Sequence, residues 1–204
     1  MEYEIEHLPF FIINVHRVSY PKAEEFKNKI VPVFQKYEKE NPNEIGDYSQ
    51  DGYTSYFNNQ NILQKIEGTK DFFQWMSDIV FKIHKESGLP GSLICQDNWF
   101  NINRKYSYHE RHIHLPAIWS CVYYVQADYS KDARLQFHSP WAETRWPYVE
   151  NAQWNANTAQ EMQVHSETGC LWIFPSFLYH SVKQQINDNE RSSIAANYSL
   201  IKQG

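Results

Sequence analysis

Apolar residues follow two different periods along the chain, one in each half. In "YPKAEEFKNKIVPVFQKYEKENP" (residues 20–42), Phe26, Ile30, Phe34 and Tyr37 recur every three or four positions and so share one side of a helix. Pro32 is expected to kink that helix and Pro42 to stop it. A second helix is predicted from a Thr69 cap through Phe72, Trp75 or Met76, Ile79 and Ile83 to a Gly88 stop. An extended start is expected around Phe10 to Val15, and the polar stretch 42–62 reads as a loop. From Leu89 onward the period shortens to that of β-strands. Short β-branched and aromatic runs, "SLICQDNWFNINR", "IWSCVYYVQ", "ARLQFH", "EMQVH", "GCLWIF", "YHSVKQQ" and "SSIAANYSLI", are separated by turn residues. The segment 139–161 breaks the short-loop rhythm. It carries Trp141, Arg145, Trp146, Tyr148 and Trp154, a composition suited either to a substrate lid or to a loop packing its own aromatics on the sheet.

These elements predict a mainly β fold with N-terminal helices (α+β): a jelly roll or similar small barrel with helices packed on one sheet. The length of 204 residues suits a single domain, 1–204, with helical support over 1–88 and a β-rich core over 89–204. A formal charge of -5 without a basic run argues against general nucleic-acid binding. The N-terminus lacks the pattern of a signal peptide, and no apolar run is long enough to span a membrane, so a cytoplasmic location is expected. Cys95, Cys121 and Cys170 are odd in number and widely spaced, which fits reduced thiols in the core. Oligomeric state is unreadable, although an exposed sheet edge would permit a homodimer.

Candidate chemistry concentrates in "YHERHIHLPAIWSCVYYVQ" (residues 108–126). If His112 and His114 lie on one strand, their spacing points both imidazoles to one face, and His180 in "FPSFLYHSV" offers a third. Three neutral nitrogens suit Fe, Zn, Cu or Ni rather than Mg or Ca. A lone His-x-His is equally at home as surface or structural polarity. His109 falls on the opposite parity to His112 and is expected to be a loop residue, not a ligand; His7, His16, His84, His138 and His165 lack comparable spacing.

A second constellation lies in "ERSSIAANYSL". Alternation places Arg191, Ser193, Ala195, Asn197 and Ser199 on one face, opposite Ser192, Ile194, Ala196, Tyr198 and Leu200. Small polar residues around one cation suit a cavity for an anionic ligand, because the planar guanidinium donates two parallel hydrogen bonds to a carboxylate. The competing reading is a surface strand with Arg191 paired to Asp188 or Glu190.

Taken together, His112-x-His114, the strand "WSCVYYV", the run from Gly169 through Phe174-Pro175 to His180-x-Val182, and Glu190-Arg191 before "SIAANYS" resemble the 2-oxoglutarate- and Fe(II)-dependent oxygenases of phages and marine bacteria. The likeness runs from about Asn98 to Leu200. It implies a double-stranded β-helix of the cupin-like, jelly-roll kind, with Fe(II) at its open end and 2-oxoglutarate beside it. Carried over, the metal ligands are His112, His114 and His180, and an Arg-x-Ser, Arg191 to Ser193, grips the far carboxylate of 2-oxoglutarate. Asn101 and Asn103 occupy places where some members touch the cosubstrate, though ordinary strand polarity would also account for them.

The wider superfamily has an acid where this chain has His114; the His-x-His form is a variant of that pattern. Three imidazoles leave a metal more positive than two imidazoles and a carboxylate, and so can alter redox potential and metal choice. The reaction implied is hydroxylation of an unidentified small-molecule or peptide substrate with release of succinate and CO2. Two alternatives stand beside it: a cupin-like three-histidine metalloenzyme that does not use 2-oxoglutarate, and a non-catalytic β-module.

Overall fold

The computed structural model describes residues 12–42, 52–141, 155 and 158–201. Among these residues two α-helices and ten strands follow in order, with one 3-10 turn at Ile62–Gln64: β1 (His16–Ser19), α1 (Ala23–Glu40), β2 (Tyr53–Thr54), α2 (Lys70–Glu86), β3 (Leu93–Asn103), β4 (His109–His112), β5 (Trp119–Gln126), β6 (Leu135–His138), β7 (Glu161–Val164), β8 (Cys170–Pro175), β9 (His180–Val182) and β10 (Arg191–Leu200). They form two antiparallel sheets: a large one in the order β1-β8-β5-β10-β3-β2, and a small one in the order β4-β9-β6-β7.

The large sheet is buried on both faces. Against one lie the helices: Phe26, Ile30 and Phe34 of α1 and Phe72, Met76 and Val80 of α2 share a core with Phe100, Ile102, Tyr123, Ile194, Ala196 and Tyr198. Phe34 stacks on Phe100 with ring centroids 3.9 Å apart, both fully buried. Phe34→Ala is expected to cost about 3–5 kcal/mol, the usual range for a buried phenylalanine; urea unfolding followed by circular dichroism would measure it. The other face meets the small sheet across Phe174, Leu135, Phe137 and Leu178. At one end Arg104 ties the layers together, donating to both Glu38 oxygens at 2.7 Å and to Glu190 at 3.2 Å.

Several expectations change in detail. Helix α1 continues through Pro32 to Glu40, losing one ladder bond there without ending. Thr69 occupies the N-cap position of α2 as expected, but its hydroxyl bonds back to the carbonyls of Leu63 and Ile66, so the helix starts without a side-chain cap bond. Gly88, at φ +73°, does close it in a conformation that favours glycine. Among the described residues the first strand is His16–Ser19, where pairing with β8 begins; Phe10 and Phe11, at the head of the expected extended start, lie outside the described residues. The stretch 42–62 contains the short strand β2, which pairs with Ile102 and Asn101 of β3. Of the aromatic segment 139–161, Arg145, Trp146, Tyr148 and Trp154 lie outside the described residues, and Trp141 is exposed. Among the described residues no helix is long and apolar enough to cross a membrane.

Candidate metal centre

His112 closes β4 and faces His180, the first residue of β9, across the small sheet. His114 does not share their strand. It sits in the turn beyond β4, held by its N–H donating to the Ser176 carbonyl at 3.0 Å and its carbonyl accepting from Ala117 at 2.9 Å. The same-strand argument for His112 and His114 therefore gives way to a strand end and a turn, yet the rings still converge. Centroids are 4.9 Å apart for His112 and His114, 4.3 Å for His112 and His180, and 5.1 Å for His114 and His180. One ring nitrogen from each lies within 4.8 Å of the others.

Backbone carbonyls orient two of these rings. A carbonyl only accepts, so Nδ1 of His112 donates to Glu110 at 2.6 Å and Nδ1 of His180 donates to Leu178 at 3.0 Å. That fixes the proton on Nδ1 and leaves Nε2 with its lone pair free. Burial, with the neighbouring His112, pushes His114 down to about 4. Burial also holds His180 well below its usual range. The donor set fits a first-row transition metal: three nitrogen ligands, two of them orientated by carbonyls, with burial favouring the neutral form of His114 and His180.

His109 departs from its sequence reading. It belongs to β4 and pairs with Val182, while His112 pairs with His180. Three residues of β4 thus span two of β9, and this irregularity cancels the odd spacing, so that both histidines lie on the same side as His180 and Val182. Asn103 lies within 3.4 Å of its Nε2. Burial, then the Arg191 cation and the imidazoles of His112 and His114, push His109 down to about 3. Strict alternation hides such a residue; only the partner strand's register reveals it.

Arg191 opens β10, paired with Asn103, and Ser193 lies between Asn101 of β3 and Tyr124 of β5. The alternation read from the sequence therefore separates two environments: Ile194, Ala196 and Tyr198 face the helices, while Arg191, Ser193, Asn101, Asn103 and Tyr124 share the face towards the small sheet. Arg191 is 2% exposed, and neither Asp188 nor Glu190 pairs with it; these take Lys105 and Arg104 instead. Its Nη1 donates to the Ala133 carbonyl at 2.6 Å and to Ser166 Oγ at 3.3 Å, its guanidinium carbon stands 5.6 Å from the Tyr124 ring centroid, and Nε has no partner among the described residues. Asn101 Oδ1 and Trp172 Nε1 are likewise buried and unpartnered among the described residues. A buried cation with no ion-paired carboxylate among the described residues is costly, and the unmet donors Arg191 Nε and Trp172 Nε1 fit an anionic ligand, whereas Asn101 Oδ1 can only accept. Tyr124, Trp172 and Ser166 were not singled out from sequence, since apolar and small residues on strands are read first as core.

Depressed imidazoles make the metal-free protein acid-sensitive. His109 and His114 titrate below 6.5 when folded and near 6.5 when unfolded, so between those values the unfolded state binds more protons. Their contribution is whole above about pH 6.5 and is lost as pH falls through 4 and towards 3. Thermal melts of metal-stripped protein should show Tm falling from pH 7 to pH 4, and less steeply in His109→Asn.

Residues 97–197, which hold the three histidines and Arg191, match the model of a family described as "Putative 2OG-Fe(II) oxygenase". No curated protein matches the chain. Among solved structures it is similar to a prolyl-4-hydroxylase from Pseudomonas putida, at 14% identity over 93% of this chain and 94% of that one, with a TM-score of 0.65. It is similar to HygX from Streptomyces hygroscopicus, solved with nickel and 2-oxoglutarate bound, at 9% identity over 92% and 83% of the two chains (TM-score 0.59). A prolyl hydroxylase from Trichoplax adhaerens, in complex with a hypoxia inducible factor peptide fragment, gives 12% identity over 91% and 83% (TM-score 0.59). At such identities the structures speak for the fold, and the family model speaks for the segment that carries the site. That segment therefore matches a family of 2-oxoglutarate- and Fe(II)-dependent oxygenases, oxidoreductases whose cofactors are Fe(II) and 2-oxoglutarate.

Proposed function

We propose that the chain is a dioxygenase that hydroxylates a small molecule or peptide with release of succinate and CO2, on a double-stranded β-helix open at the histidine end. His112, His114 and His180 hold Fe(II), and Arg191 with Ser193 binds the far carboxylate of 2-oxoglutarate, flanked by Asn101 and Asn103. The observation that carries this reading is Arg191: a fully buried guanidinium with no ion-paired acid among the described residues, on the sheet face that looks towards the three histidines. Structural neighbours bound to a peptide fragment or to hygromycin B support the breadth of the substrate class. Three free cysteines fit a reducing, cytoplasmic setting.

When bound, Fe(II) supplies oxygen activation coupled to decarboxylation of the 2-oxo acid. The protein's own part is positional. The Glu110 and Leu178 carbonyls hold two imidazoles with Nδ1 as the donor, so no tautomer shift has to precede ligation through Nε2. Arg191 neutralises the incoming carboxylate in a site where water competes poorly, and its unpartnered Nε gains an acceptor. The planar fork sets the direction of the cosubstrate, while Ser193 and Asn101 offer short polar groups beside it.

The test is anaerobic addition of Fe(II) and then 2-oxoglutarate to metal-stripped protein, followed by O2 with succinate quantified. The visible charge-transfer band of the chelated keto acid is expected, then succinate. Metal binding with neither band nor succinate would overturn the reading in favour of three-histidine chemistry without 2-oxoglutarate. That alternative draws on the donor set itself, which includes no carboxylate among the described residues.

A further inference from the structure

We propose that Trp99 and Tyr56 form an electron relay between the three-histidine centre and the surface, which discharges oxidising equivalents that no substrate consumes. The proposal rests on the oxygenase reading above. Among the described residues, two aromatic rings touch the histidine trio from outside it: Phe174 against His180 at 4.8 Å, and Trp99 edge-on to His114 at 5.8 Å. The first leads to another phenylalanine, Phe137, at 4.9 Å. Phenyl rings give up an electron far less readily than indole or phenol, so that branch does not conduct. The second leads outward. Trp99 is buried and meets Tyr56 edge-on at 5.0 Å; Tyr56 is half-buried and adjoins Phe57, which is 60% exposed.

Register makes this contact chain specific. Trp99 stands opposite Ala195 on β10, a residue small enough to leave the indole room on the face towards the small sheet. Tyr56 is brought there because β2 pairs with Ile102 and Asn101 and Ser55 is bonded both ways to Phe100, which folds the following residue back over β3. Neither residue ligates metal or carries a charge, so packing alone does not call for an indole and a phenol in series from the centre to the outside.

The electrons balance as follows. Turnover without a primary substrate converts 2-oxoglutarate and O2 to succinate and CO2, with one oxygen atom undelivered. Two electrons and two protons take that atom to water. Trp99 passes an electron inward and is refilled by Tyr56. The Tyr56 phenolic proton passes to solvent, from which the oxygen atom takes up one proton with each electron. A small reductant of the ascorbate class returns an electron and a proton to Tyr56 and supplies the second pair by the same route.

The test exposes Fe(II)- and 2-oxoglutarate-loaded protein to O2 without a primary substrate, counts succinate, and reads freeze-quenched samples by electron paramagnetic resonance. Iron stoichiometry is checked in every variant. Succinate with a tyrosyl radical signal is expected in the unmodified protein, quenched by ascorbate and lost in both Tyr56→Phe and Trp99→Phe. The number of succinate turnovers before inactivation should fall severalfold in both variants. A signal that survives Tyr56→Phe, or succinate formed with no tyrosyl signal, overturns the relay and leaves the oxygenase reading intact. No succinate in the unmodified protein overturns both, since the relay then has no oxidant.

Discussion

Replacing His180 with alanine is expected to abolish stoichiometric Fe(II) binding at neutral pH. His180 is the most enclosed of the three imidazoles, 3% exposed, and the one whose ring lies between Phe174 and His112. Its Nδ1 proton is committed to the Leu178 carbonyl, so its Nε2 is already aimed and neutral without metal. Loss of an outer partner alone lowers metal affinity by about 10–100-fold, and removal of the ligand itself should exceed that. Metal analysis of anaerobically loaded, desalted protein measures the effect. His180→Gln, which fills more of the same space, separates loss of ligand from loss of packing: both variants should be metal-poor, while His180→Gln melts closer to the unmodified protein. Unchanged iron stoichiometry in a folded His180→Ala would remove His180 from the site.

Arg191→Met should leave metal binding intact and weaken 2-oxoglutarate by at least about 100-fold, equivalent to about 2.7 kcal/mol and within the roughly 2–5 kcal/mol lost when one partner of a buried charge pair is truncated. Titration of 2-oxoglutarate into the anaerobic Fe(II) protein reads it directly. The same variant should not destabilise the ligand-free fold. Arg191 is buried with Nε unpartnered and no ion-paired acid among the described residues, so a methionine of similar length removes a desolvated charge and can raise Tm. Arg191→Lys should not rescue binding, because an ammonium cannot reproduce the two-pronged contact or bridge to Ala133 and Ser166 as the guanidinium does. Equal affinity in Arg191→Met would show that the cosubstrate binds elsewhere.

Local periodicity carried much of the architecture. The helix faces read from Phe26, Ile30, Phe34, Phe72 and Ile83 are the faces buried against the large sheet, because a single apolar stripe on a helix has only one side to bury. The alternation in β10 was legible for a related reason: the pleat forces period two, and the two sets of side chains differ so sharply in size and polarity that each demands a different neighbour. Where the reading slipped, a non-local partner decided. Thr69 carries a good cap side chain, but the Leu63 and Ile66 carbonyls take its hydroxyl. His109 looked outward by parity until the extra residue of β4 opposite β9 turned it inward.

The amino-acid sequence by itself determined which residues could bind a metal and an anion, since ligand chemistry belongs to the side chains: three imidazoles in two segments, and one arginine on a strand of small polar neighbours. Only the tertiary structure decided that His114 reaches its partners from a turn rather than a strand, that His109 faces inward, and that Arg191 is buried with no ion-paired acid among the described residues. Each depends on pairing between strands far apart in the chain, β4 with β9 and β10 with β3 and β5, and a period read along one strand carries no information about the register of another.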